Sequence, residues 1–134
     1  MKIVLAAASG FIRSSVHVNL RSSGCAVTEA EPHCLFNVLA VMREVMPHLA
    51  VIDHEIPCCN CETLVRSVRE DPMLAGTPML VIVDSTDSDP VERMGRWAQV
   101  RFLEKPLQVE VLLQAVRDQF PTFNISSSDW DPAV

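Results

Sequence analysis

Three acids and one lysine stand where apolar runs of the chain stop. Leu49-Ala50-Val51-Ile52 ends in Asp53, Met79 to Val83 ends in Asp84, and Gln99 to Leu103 is followed by Glu104-Lys105-Pro106. A carboxylate and an ammonium at neighbouring strand ends can form a partly buried ion pair. Carboxylates there are also hard-oxygen ligands for a divalent cation. A second group is sulfur chemistry: Cys58, Cys59 and Cys61, with His54 close by. Thiolate and imidazole suit zinc or an iron–sulfur centre, and would make a thiol- or metal-dependent sensor or enzyme. The two separated Cys-x2-Cys pairs of a structural zinc site are missing, and a vicinal pair is a poor chelate. Cys25 and Cys34 read as small core residues.

The elements that must position these residues alternate in period. Ile3 to Ala8, Leu49 to Ile52 and Met79 to Val83 are continuous apolar runs, as expected of strands covered on both faces. Cys25 to Thr28 and Gln99 to Leu103 read as shorter strands. Between them the apolar spacing is helical over Phe11 to Arg21, Cys34 to Met46 and Glu62 to Glu70, and again over Pro106 to Gln119. Ser23-Gly24, Pro47, Pro72 and Pro121 stand at or just beyond their ends. Asp89-Pro90-Val91-Glu92 is a helix start, with a capping Asp, Pro at the first helical position and Glu three residues after the cap; Trp97 falls near the end of that fourth helix. Met42, Met46, Met73, Met79 and Met94 lie on apolar stripes and read as core. Pro57 to Asn60 is a loop and Gly76-Thr77-Pro78 a turn.

Strand and helix thus alternate five times, which predicts a parallel sheet with helices on both faces. In such a sheet chemistry gathers beyond the carboxyl ends of the strands. The first strand is chemically blank there: it ends Ala7-Ala8-Ser9. Residues 1–120 read as one domain and 121–134, with Trp130, as a tail.

Composition excludes several classes. The 134 residues carry a net charge of −6 and are 49% hydrophobic, so the chain is too apolar for disorder and has no basic face for nucleic acid or anionic membrane. Five cysteines, odd in number and clumped, do not form a secreted disulfide framework. The apolar start is shorter than a signal peptide's core, and no stretch approaches a membrane span. The expectation is a cytoplasmic protein.

The ordered set His48-Leu49-Ala50-Val51-Ile52-Asp53, Pro57 four residues on, and Phe102-Leu103-Glu104-Lys105-Pro106 resembles the receiver domain of bacterial two-component response regulators. The resemblance covers residues 2–120. Phe11-Ile12-Arg13 and Gly76-Thr77-Pro78 also stand where that family has comparable residues. The fold it implies is a flavodoxin-like (βα)5 three-layer sandwich, with a parallel five-stranded sheet in the order 2-1-3-4-5. The activity it implies is not an enzyme's own turnover but phosphorelay signalling, in which a histidine kinase or small phosphodonor transfers a phosphoryl group to Asp53. Lys105 would contact the carboxylate or the phosphoryl oxygens as a point charge, and Phe102 matches the family's rotamer switch. Output would pass to a protein partner through the α4-β5-α5 face (fourth helix, fifth strand, fifth helix), which also serves homodimers in the family.

The departures bear on the chemistry. Where the family has two adjacent acids that hold Mg²⁺, this chain has Ala7 and Ala8. Mg²⁺ needs hard oxygen ligands and neutralises the incoming phosphoryl charge. Asp53 is left as the clear ligand, with Glu55 and Asp84 as weak substitutes. The family's Ser or Thr after the fourth strand falls on Val83, and its loop Gly on Cys61. The resemblance therefore implies a degenerate receiver, a pseudo-receiver, in which Asp53 and Lys105 either keep weakened phosphoryl chemistry or serve as an ion pair.

Overall fold

The two central apolar runs become fully covered strands, and the rest of the sheet is built outward from them. A computed structural model describes residues 1–31, 34–55, 61–84 and 99–120. The strands are β1 (Lys2–Ala6), β2 (Ala26–Glu29), β3 (Leu49–Asp53), β4 (Met79–Asp84) and β5 (Val100–Lys105). All neighbours pair in parallel, in the order β2-β1-β3-β4-β5. Every residue of β3 is buried, whereas β2 and β5 at the edges carry exposed positions. Continuous apolarity thus marks the interior strands, and mixed polarity the edges. The expected strand order is the observed one.

Alternation sorts the strand side chains onto two faces. Val4, Ala6, Ala50, Ile52, Met79, Val81 and Val83 pack under α2 (Leu35–Val45) and α3 (Cys61–Glu70). Ile3, Leu5, Leu49, Val51, Leu80, Ile82 and Leu103 pack under α1 (Gly10–Ser22) and the C-terminal helix (Val109–Gln119). Three layers result.

Local signals fix the helix ends. Ser9 caps α1, its Oγ accepting the Ile12 amide, and Gly24 takes a φ of +91° just past the helix end, where a Cβ would be strained. Asp71 closes α3: its buried carboxylate accepts the Met73 amide at 2.9 Å and Arg43 Nε of α2 at 2.7 Å. These hydrogen bonds, the Met73 amide first and Arg43 second, hold the Asp71 carboxyl below the usual carboxylate range.

Some sequence expectations need correction. β1 stops at Ala6, not Ala8, because Ala7 leaves the ladder and packs into the α1-side core. β5 runs on through Lys105, because β4 continues to Asp84 and pairs it with Lys105. The C-terminal helix begins at Val109 rather than Pro106, after a cis Lys105-Pro106 bond. Met46 and Met73 are 43% and 57% exposed, and Cys34 is an exposed helix cap rather than a core residue. The expected fourth helix with Met94 and Trp97, the loop with Cys58 and Cys59, and the tail 121–134 with Trp130 lie outside the described residues.

Candidate functional site

The sheet order reverses between β1 and β3, and Asp53 stands at the carboxyl end of β3, at that switch point. Asp53 is fully buried. In register it opposes Ile82, one step past the Ala6–Ile52 pair, so Ala7 follows on the neighbouring strand. By alternation Asp53, Asp84, Lys105 and Ala7 share the sheet face of α1 and the C-terminal helix.

Lys105 and Asp53 are two strands apart, a gap of about 9.5 Å at ordinary spacing. The lysine stem spans it: Nζ stands 3.1 Å from Asp53 Oδ1 and 3.5 Å from Glu55 Oε2. The Glu55 amide also donates to Asp53 Oδ1, at 3.1 Å. Asp53 Oδ2 is buried with no hydrogen-bond partner among the described residues. Partial burial alone would lower the pKa of the Lys105 ammonium. The Asp53 hydrogen bond and charge, with those of Glu55 behind them, more than reverse this, and the net shift is upward from 10.5. At 3.1 Å the pair's attraction is about 5 kcal/mol at an effective dielectric of about 20, similar to the several kcal/mol of desolvation it offsets.

The site brings together Asp53, Lys105 and Glu55, with Asp84 in register beside Lys105. It does not bring in a second ligand set. Ala7 is buried in the α1-side core and Ala8 is exposed, so neither position supplies an oxygen ligand from its side chain. Glu55, the expected substitute ligand, points its carboxylate at Lys105. No group of three or more His, Cys, Asp or Glu suited to a metal ion exists among the described residues. This donor set does not fit Mg²⁺, which demands near-octahedral oxygen coordination.

Val83 is buried under α2 and α3, and half-buried Phe102 packs against the same cluster, on the far face of the sheet from Asp53. Glu104 shares that side by alternation and is exposed. Cys61, the first residue of α3, is 1% exposed and packed in the same core cluster. Two contacts escaped the sequence reading. His48 Nδ1 accepts the Lys2 amide at 3.0 Å, tying β1 to the entry of β3, and His17 meets Glu29 at 2.9 Å. The hydrogen bond from the Glu55 amide to Asp53 was available in principle, since Asp side chains commonly accept from the backbone two residues on.

This architecture, with an acid closing the third strand and a lysine closing the fifth, is the receiver fold, and solved receiver structures match it. The chemotaxis response regulator CheY4 of Vibrio cholerae superposes with a TM-score of 0.79 at 22% identity, over 89% of this chain and 98% of that one. The signal receiver domain of a signal transduction histidine kinase from Syntrophus aciditrophicus gives 0.78 at 18%, over 95% of both chains. The receiver domain of a Pseudomonas aeruginosa sensor histidine kinase, with a magnesium ion coordinated in its active-site cleft, gives 0.76 at 15%, over 88% of this chain and 95% of that one. No protein-family model and no curated protein sequence matches the chain. The chain therefore has the fold of the response-regulator receiver domains. Among its described residues no helix is long and apolar enough to cross a membrane.

Proposed function

We propose that this protein is a degenerate receiver of a two-component phosphorelay, cytoplasmic, acting by contact with a protein partner rather than by catalysis of its own. The observation that carries this reading is the pairing of Lys105 Nζ with buried Asp53 at 3.1 Å, beside two alanines in place of acids. The acceptor and its lysine are present, and the cation that would offset phosphoryl charge has no ligand set among the described residues. Asp53 remains the candidate phosphoacceptor, with a histidine kinase as the donor class. The partner surface is the edge of β5 with the exposed side of the C-terminal helix, where Val111 is 47% exposed and Arg101 meets Asp118 at 3.2 Å.

The test is intact mass after incubation with acetyl phosphate and Mg²⁺, beside an Asp53→Asn variant. The expected result is a trace of phosphoryl-sized gain or none in the parent, and none in the variant. A near-complete gain in the parent that the variant lacks would make this a working receiver instead. The second reading, a thiol- or metal-dependent site at Cys58, Cys59 and Cys61, is less favoured because Cys61 is packed in the core. Stoichiometric zinc or iron that is lost on Cys61→Ser would restore it.

A further inference from the structure

β2 is an edge of the sheet, and among the described residues no strand lies beyond it. The amides of Ala26 and Ala30 point inward, each donating at 2.8 Å, to Met1 O and Leu5 O. By alternation Val27 and Glu29 aim their N–H and C=O groups outward. A row of such groups is a template for another strand, which edge strands ordinarily blunt with charges, Pro or a bulge. The opposite edge is blunted in this way: β5 carries Arg101, Glu104 and Lys105. β2 is Ala26-Val27-Thr28-Glu29, and its single charge is drawn to α1 by Arg13 at 3.3 Å and His17 at 2.9 Å. Its other face is open, with Ala26 and Thr28 exposed.

The strand that fits this edge is a second copy of β2. A two-fold axis through Thr28, normal to the sheet, pairs Val27 of one copy with Glu29 of the other, and the reverse. Those are the residues whose backbone groups face outward, so each pair exchanges both N–H···O bonds. Thr28 meets Thr28 on the axis, a favourable cross-strand pair. A parallel copy would leave the assembly open, whereas the two-fold closes it. The same operation keeps both α1 helices on one side of the joined sheet. The Cys25 amide donates to Leu20 O at 3.0 Å, and Glu29 meets Arg13 and His17, so α1 runs antiparallel over β2 with Val18 near the middle of the strand. Val18 is 62% exposed and lines a groove of about 500 Å³ between α1 and β2. The axis turns the two Val18 side chains toward each other there. The charges are complementary: α1 contains no acid, and Glu29 of the second copy, still held by its own Arg13 and His17, comes beside the end of the groove lined by Arg21. We propose that β2 pairs antiparallel with β2 of a second copy of this chain, closing the α1–β2 groove. This goes beyond the proposed function and leaves the β5 edge open to its partner.

Sedimentation of the full chain from about 1 μM to about 1 mM reads the association, and a concentration-dependent dimer is expected. Thr28→Lys and Thr28→Glu each set like charges opposite one another on the axis and should weaken the dimer severalfold. Mixing the two variants should restore it. Thr28 is exposed, so both variants should fold, with circular dichroism unchanged. Should either fail to fold, amide hydrogen exchange of the parent gives a second readout: Val27 and Glu29 should be protected in concentrated protein and exchange fast in dilute protein. A monomer at every concentration overturns the proposal. So does a dimer indifferent to Thr28→Lys, or one lost on Val111→Asp instead, which would place the contact on the β5 edge.

Discussion

Lys105 reaches across β4 to Asp53, so a residue of the sheet's edge strand is bonded to the end of its central strand. On β4 between them, Ile82 is in register with Asp53 and Asp84 with Lys105. The contact also determines what Asp53 can be. One of its oxygens is committed to Lys105 and the Glu55 amide, and the other is buried without a partner among the described residues. A buried carboxylate in that state depends on its lysine for charge compensation.

Removing the lysine alone should therefore cost more than removing both charges. Lys105→Met is expected to destabilise by about 2–4 kcal/mol, less than for a fully dry pair because solvent reaches the ammonium. Asp53→Asn with Lys105→Met should recover most of that loss. Urea denaturation of the parent, both single variants and the double variant measures the coupling. If Lys105→Met costs the same in the parent as in the Asp53→Asn variant, the ion pair is not what stabilises this end of the sheet.

The alanines make a separate prediction about magnesium. The parent's Tm should be indifferent to millimolar Mg²⁺. Ala8→Asp, at an exposed position, should be tolerated, whereas Ala7→Asp places a carboxylate in the α1-side core and should lower Tm. In the double variant Mg²⁺ should raise Tm, because ligands that bind only the folded state stabilise it. Thermal unfolding with and without the cation decides this, and a parent Tm that rises with Mg²⁺ would contradict the site described above.

Stability should fall at both ends of the pH scale, for different groups. The folded-state pKa of Lys105 is raised above 10.5, so its contribution is complete below the unfolded value and is lost as pH rises through the folded one. The folded-state pKa of Asp71 is lowered below 3.8, so its contribution is present above that value and is lost as pH falls through the lower one. Lys105→Met should flatten the alkaline limb above about pH 10, and Asp71→Asn the acid limb below about pH 4. Chemical denaturation across pH reads both.

The alternation of strands and helices, the strand-end placement of Asp53 and Lys105 and the blank end of β1 were legible because apolar runs and the residues that stop them are local signals; the strand order came only with the family resemblance. What was not legible is tertiary. Nothing local tells that Met46 adopts a left-handed φ of 50° at the end of α2 and faces solvent, while Met42 one turn earlier is fully buried. Likewise His48 finds its partner 46 residues away, in a backbone amide any residue could supply. The extension of β5 to Lys105 depended on where β4 stops, which is a property of the pair rather than of either strand.

Burial should set the reactivity of the described cysteines. Cys34 is exposed at the start of α2, whereas Cys25 and Cys61 are 5% and 1% exposed. Burial pushes the Cys25 thiol up from 9.0, the nearby N-terminal charge only partly opposing it, which further lowers its thiolate fraction. In native protein an aromatic disulfide reagent should modify Cys34 at the rate of an open thiol. Cys25 and Cys61 should react only at the rate set by opening of the fold. Peptide mapping after timed modification separates the three sites. Cys61→Ser should destabilise, since it places a hydroxyl among Leu64, Val65 and Val68. Fast native modification of Cys61 would instead mean that the first turn of α3 opens readily, and would return that thiol to the chemistry of the loop before it.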